Sequence, residues 1–183
     1  EQAPGNADLL YLLGRIQMDP EAAESLYGRS IEADGENPMP WGARGFHRMR
    51  NGEFLAGLRD YQRAHRLAPD EDILLFGLRE ARLAAGRYDE VIAAAGQARD
   101  REPLILSDRL DVIEAYIGKG DVDGARAEWE AFARRIRREN PQEAPWLLPL
   151  GRTTMLYMLG DREGYLDAAR ELFAENGIEG TSM

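Results

Sequence analysis

Apolar residues recur along this chain at helical spacing, in short runs broken by charges. Ile73, Leu74, Leu75, Leu78 and Leu83 mark one such helix, and Val91, Ile92, Ala95 and Ala98 mark the next. Gly86 lies between them, where glycine supplies the positive φ that stops one helix and turns the chain into another. The arrangement repeats. Gly52, Gly86 and Gly120 are 34 residues apart, and so are Pro69 and Pro103, which close second helices that proline cannot continue. Tyr27 with Tyr61, Ala64 with Ala98, and Arg48 with Arg82 share the interval.

A 34-residue period of helix–turn–helix is that of the tetratricopeptide repeat, and the chain resembles this family. Residues 38–71 carry the pattern most fully. Trp41, Gly45, Gly52, Gly57, Tyr61, Ala64 and Pro69 fall where the family has its tryptophan, first glycine, turn glycine, small residue, aromatic, alanine and proline. Residues 72–105 continue in frame with Leu75, Leu78, Gly86, Ala95, Ala98 and Pro103, and 106–139 follow with Val112, Tyr116, Gly120, Ala125, Trp129 and Phe132. Gly120 to Gly160 is 40 residues, so a last repeat over 146–179 is displaced by six, with an enlarged loop expected over 138–146 at Asn140-Pro141 and Ala144-Pro145. The first repeat, over 4–37, is less regular: Met18-Asp19-Pro20 replaces the glycine turn, with Asp19 a helix N-cap and Pro20 at the first helical position. The resemblance implies an all-α, right-handed superhelical solenoid of about five helix-turn-helix repeats, forming a single array over 1–183. One helix pair cannot bury its own apolar face, so each repeat needs the next as its wall. Small residues at Gly57, Ala64, Ala98 and Ala125 permit close helix approach, and Tyr27, Tyr61 and Trp129 fill the gaps.

Composition removes much chemistry. There is no cysteine, which excludes disulfides, thiolate metal sites, iron–sulfur clusters and cysteine nucleophiles. The two histidines, His47 and His65, are too few for a multi-histidine metal site and sit on predicted helices without a catalytic constellation. Lys119 is the lone lysine; Gly118-Lys119-Gly120 lacks the upstream glycine and following Ser/Thr of a phosphate loop and reads as an inter-helix turn. Ser25, Ser30, Ser107 and Ser182 lack a nucleophile-elbow context. No catalytic residue, cofactor or metal is therefore expected. The one dense basic cluster, Arg134-Arg135-Ile136-Arg137-Arg138, lies at a predicted helix end, where cations favour the dipole, and the net charge of −10 disfavours nucleic acid. The apolar stretches are too short and too charged to span a membrane. No targeting segment is visible, and absent cysteines suit cytoplasm and periplasm equally. Because the chain opens on Glu1-Gln2-Ala3-Pro4, either a removed leader or a piece of a longer protein is expected.

In such arrays the first helix of each repeat lines a concave groove, and the resemblance implies that repeat positions 2, 5, 9 and 12 face it. These are Met39, Gly42, Phe46 and Met49 in the second repeat, and Ile73, Phe76, Glu80 and Leu83 in the third. The fourth contributes Ser107, Leu110, Glu114 and Ile117, and the fifth Leu147, Leu150, Thr154 and Tyr157. None is Lys, Arg or Asn, which argues against a clamp for chain-terminal carboxylates. An apolar groove with Glu80 and Glu114 suits a protein or peptide segment with an apolar anchor and a basic residue. Arginines occupy positions that are normally packed: Arg44, Arg48, Arg79, Arg82 and Arg152. Inter-helix ion pairs are expected for them, with Arg48 and Arg82 also candidates for gripping an acidic ligand. The chain thus reads as a non-catalytic protein-interaction module. The alternatives are a regulatory or substrate-recruiting domain of a larger enzyme or secretion or assembly protein, and a self-assembling scaffold.

Overall fold

Four glycines set the helix turns, and all four adopt the left-handed backbone: Gly52, Gly86, Gly120 and Gly160 have φ of 81°, 69°, 78° and 69°. Around each, the same two hydrogen bonds close the preceding helix. The glycine N–H donates to the carbonyl three residues back (Gly52 to Met49 at 3.1 Å, Gly160 to Tyr157 at 3.0 Å). The next N–H donates five residues back (Glu53 to Arg48 at 2.8 Å, Asp161 to Leu156 at 3.0 Å). This is the Schellman closure, which satisfies carbonyls that a helix end otherwise leaves orphaned.

The computed structural model describes residues 6–98 and 106–175. Among them are ten helices and no strand: α1 (Ala7–Ile16), α2 (Pro20–Ala33), α3 (Pro38–Arg50), α4 (Phe54–Leu67), α5 (Asp72–Ala84), α6 (Tyr88–Ala98), α7 (Leu106–Gly118), α8 (Val122–Glu139), α9 (Ala144–Met158) and α10 (Arg162–Glu175). Pro103, the side chain of Ala98 and the tail from residue 176 lie outside the described residues. The first turn follows its expected chemistry: the Asp19 carboxylate accepts the Glu21 N–H at 3.0 Å and Pro20 opens α2. The displacement before the last repeat is resolved differently from the expected loop. Its extra residues mostly lengthen α8 to 18 residues, leaving only a short turn before Ala144. Ile136, fully buried, anchors this added turn, and Arg135 pairs with Glu139 at 2.6 Å along it.

The chain forms two compact units, with the boundary after Arg87, inside the third predicted repeat. In the first unit α1 packs on α2, α3 on α4, and successive hairpins meet through α2–α3, α4–α5 and α3–α5. Its core joins Leu58, Tyr61, Leu78 and Ala81. Tyr61 wedges against Gly45 of its own hairpin and Gly77 of α5, so a side chain at Gly77 would collide with the ring and one at Gly45 would crowd it. Burial pushes the Tyr61 hydroxyl up to about 12. In the second unit α7 packs on α6, α8 and α9, and α9 also on α8 and α10. Ile113, Trp129, Phe132, Ile136, Leu147, Leu148, Met155 and Leu156 form its core, with Trp129 seated on Gly151.

Candidate interaction surface

Within the first unit, α3 and α5 place Phe46, Ile73, Leu75 and Phe76 in solvent. Phe46 is 50% exposed, Ile73 62% and Phe76 52%. Each phenyl ring lies against a guanidinium on its own helix, Arg50 at 5.7 Å from the Phe46 centroid and Arg79 at 5.5 Å from that of Phe76. Glu80 is exposed one helical turn beyond Phe76. Met39 and Met49 are half-buried, and Met49 fills space beside Gly57. Leu83, which the repeat pattern assigns to the groove, is a core residue instead. It stands in the last turn of α5, where its carbonyl accepts the Gly86 N–H and its side chain packs inward.

Within the second unit, Leu150 and Tyr157 on α9 are exposed, Tyr157 with its ring 5.7 Å from that of Tyr165. Glu114 on α7 is exposed at the residue level; partial burial, then the neighbouring Asp111 charge, raise its carboxyl pKa. Leu110 and Ile117 pack against the core, which leaves them half-buried.

Three of the arginines at packed positions, Arg44, Arg48 and Arg152, are engaged by carboxylates. Arg44 donates through Nε and Nη2 to both oxygens of Asp60, at 2.8 Å each, and its guanidinium lies 5.0 Å from the Trp41 ring. Arg48 reaches the same Asp60 at 2.9 Å and Glu24 of α2 at 2.7 Å. Arg48 thus makes the inter-helix ion pairs expected of it, and its donors tie α2, α3 and α4 together. Arg82 is half-buried, and its positive charge acts on His65 of α4. In the second unit Arg109 pairs with Glu128 at 3.0 Å. Asp60 and Glu128, only 3% and 6% exposed, each follow a turn glycine by eight residues. Sequence reading missed these buried acids, although their identical register relative to Gly52 and Gly120 was an available signal. Three arginines of the basic run in α8 are likewise paired within their helix, Arg134 to Glu130 and Arg135 and Arg138 to Glu139.

A further exposed apolar stretch lies on α1, at Leu9, Leu12, Leu13 and Ile16. Gly14 receives the Tyr27 ring as Gly45 receives Tyr61, which aligns α1 with the later first helices. Leu9, Leu13 and Ile16 thereby match Leu74, Leu78 and Ala81 of α5, all buried against the preceding hairpin. Among the described residues no group of three metal-ligating side chains gathers, and no helix is long and apolar enough to cross a membrane.

The arrangement of helix pairs is a tetratricopeptide-type repeat fold. No protein-family model matches the chain, and no curated protein matches it in sequence. Solved structures do. The MamA protein superposes with a TM-score of 0.62 at 21% identity, covering 75% of this chain and 78% of that one. A chain in the structure of Naa15/Naa10 bound to HypK-THB matches with a TM-score of 0.54 at 16% identity, over 96% of this chain but 32% of that one. At these identities the likeness is one of fold.

Proposed function

We propose that the chain is a protein-binding module that holds a partner segment against the exposed side chains of its first helices. The observation that carries this reading is the exposure of Phe46, Ile73 and Phe76 on two adjoining helices. Large apolar groups clustered on a surface lose free energy when a partner covers them, and aromatic anchors dominate such contacts. The acidic Glu80 beside Phe76 adds preference for a segment with a basic residue. Leu150 and Tyr157 offer a comparable surface within the second unit. Capture needs no covalent chemistry. The neighbouring fold in Naa15/Naa10 was solved bound to HypK-THB, which accords with a binding role.

Phe46→Ala combined with Phe76→Ala should weaken partner capture at least about tenfold, since a buried anchor contributes 2 kcal/mol or more to binding. The thermal melt should barely move, because both rings are already half in water. Pull-downs from the source organism with wild type and variant, followed by titration of the recovered partner, make the comparison. Equal affinity for both proteins would sink the reading.

A further inference from the structure

The last hairpin departs from the second at a charged pair. Arg44 and Arg152 each stand eight residues before a turn glycine, Gly52 and Gly160. Eight residues after those glycines come Asp60 and Ala168. In the second hairpin the Asp60 carboxylate grips Arg44 through two hydrogen bonds of 2.8 Å. In the last hairpin that place holds the methyl of Ala168, and Arg152 reaches one turn further along α10, to Glu171 at 3.1 Å. Both members of that pair are at least half exposed, so their attraction is screened and weak.

A cavity of about 230 Å³ opens at this spot, within the second unit. Trp129, Leu148 and Ala168 line it with apolar surface, all three buried in the fold. Arg152, Glu171 and Arg137 of α8 also line it, and Arg137 has no ion pair among the described residues. Two arginines thus border a partly apolar hollow that lacks the structural carboxylate of the second hairpin.

We propose that this crevice binds a carboxylate joined to an apolar group, the external equivalent of Asp60. Arginine presents a planar fork of donors matched to two carboxylate oxygens, and a dry floor strengthens that bond. The volume is below the roughly 300 Å³ at which pockets for drug-sized ligands begin. The occupant is therefore a small organic acid, or an acidic side chain flanked by apolar residues on a protein partner. None of the residues assigned to the groove takes part.

The test is a titration of the full chain followed by NMR at the Trp129 indole N–H and the Arg152 Nε–H. The acids are 3-phenylpropionate and the peptide N-acetyl-Leu-Glu-Leu-amide. Their neutral counterparts are 3-phenylpropionamide and the same peptide with Gln. Saturable shifts are expected with the acids, and binding about tenfold or more weaker with the neutral compounds, the usual loss when a charged hydrogen bond is removed. The tighter of the two acids identifies the source. Arg152→Gln and Arg137→Gln should each weaken binding, whereas Glu171→Gln, by releasing Arg152, should tighten it. Ala168→Asp restores an internal carboxylate and should abolish binding; were that variant not to fold, Arg152→Gln still decides. Absence of saturable shifts with both acids, equal binding of the neutral compounds, or unchanged binding in Arg152→Gln would overturn the proposal.

Discussion

Asp60 concentrates more electrostatic consequence than any other residue of the first unit. It is buried, yet it accepts from two arginines, and one of those also holds Glu24. Removing the acid strands two cations whose donors cannot all find water. Asp60→Ala should therefore cost about 3–5 kcal/mol, the range for breaking one side of a buried ion pair. Arg63→Ala breaks an exposed pair with Glu36 and should cost less than about 1 kcal/mol. Urea melts of the two variants test the contrast, and comparable losses would show that Asp60 is not the keystone described. His65 sets a milder, pH-dependent term. Burial, then the Arg82 charge, lower its pKa, against an opposing pull from Asp70, and its buried Nδ1 has no hydrogen-bond partner among the described residues. As pH falls below about 6.5 the unfolded chain takes up the proton before the folded one, so stability declines there. His65→Gln should flatten that decline in melts between pH 7 and pH 5; an unchanged slope would remove His65 as its source.

Helices here begin and end on chemistry that is local, and that is why the hairpins were legible. Asn6, Asp19, Asn37 and Asp121 cap helix starts through their own side chains, and the four turn glycines close helix ends through bonds spanning only three and five residues. Gly52→Ala should cost about 1–2 kcal/mol, because an L side chain resists φ of 81°. Gly96 is the control. It sits inside α6 with open space where a Cβ would go, so Gly96→Ala should stabilise by about 0.5–1 kcal/mol. Opposite signs in thermal melts are the expected result, and a loss at both sites would contradict the helix assignment of Gly96. The interaction surface was less legible for a matching physical reason. Family register placed Phe46, Ile73 and Phe76 on helix faces that prove exposed, but it also enrolled Leu83, which turns inward at the end of its helix. An ion pair was expected for Arg48, but not its partners, because Glu24 and Asp60 are 24 and 12 residues away and meet it only after three helices pack.

Across the whole molecule, charge is uneven along the repeats. Residues 1–37 hold eight acids against two bases, while 38–71 hold four against six, and the ion pairs of Arg48 with Glu24 and of Arg63 with Glu36 draw those oppositely charged segments together. Stability in a helical-repeat chain is a sum of local terms, each hairpin interacting chiefly with its neighbours. Two compact units with separate cores express that locality here. Trp129 tests it best, since its ring packs on Phe132 and would be struck by any side chain at Gly151, all within the second unit. Trp129→Ala should cost roughly 3–5 kcal/mol through the cavity it leaves. In a fully cooperative domain that loss would lower amide protection everywhere. In a chain held by neighbour contacts it should fall on α7 to α10, while α1 to α4 keep theirs. Hydrogen exchange resolved by helix separates the outcomes, and uniform loss of protection would mean that the chain folds as one cooperative body.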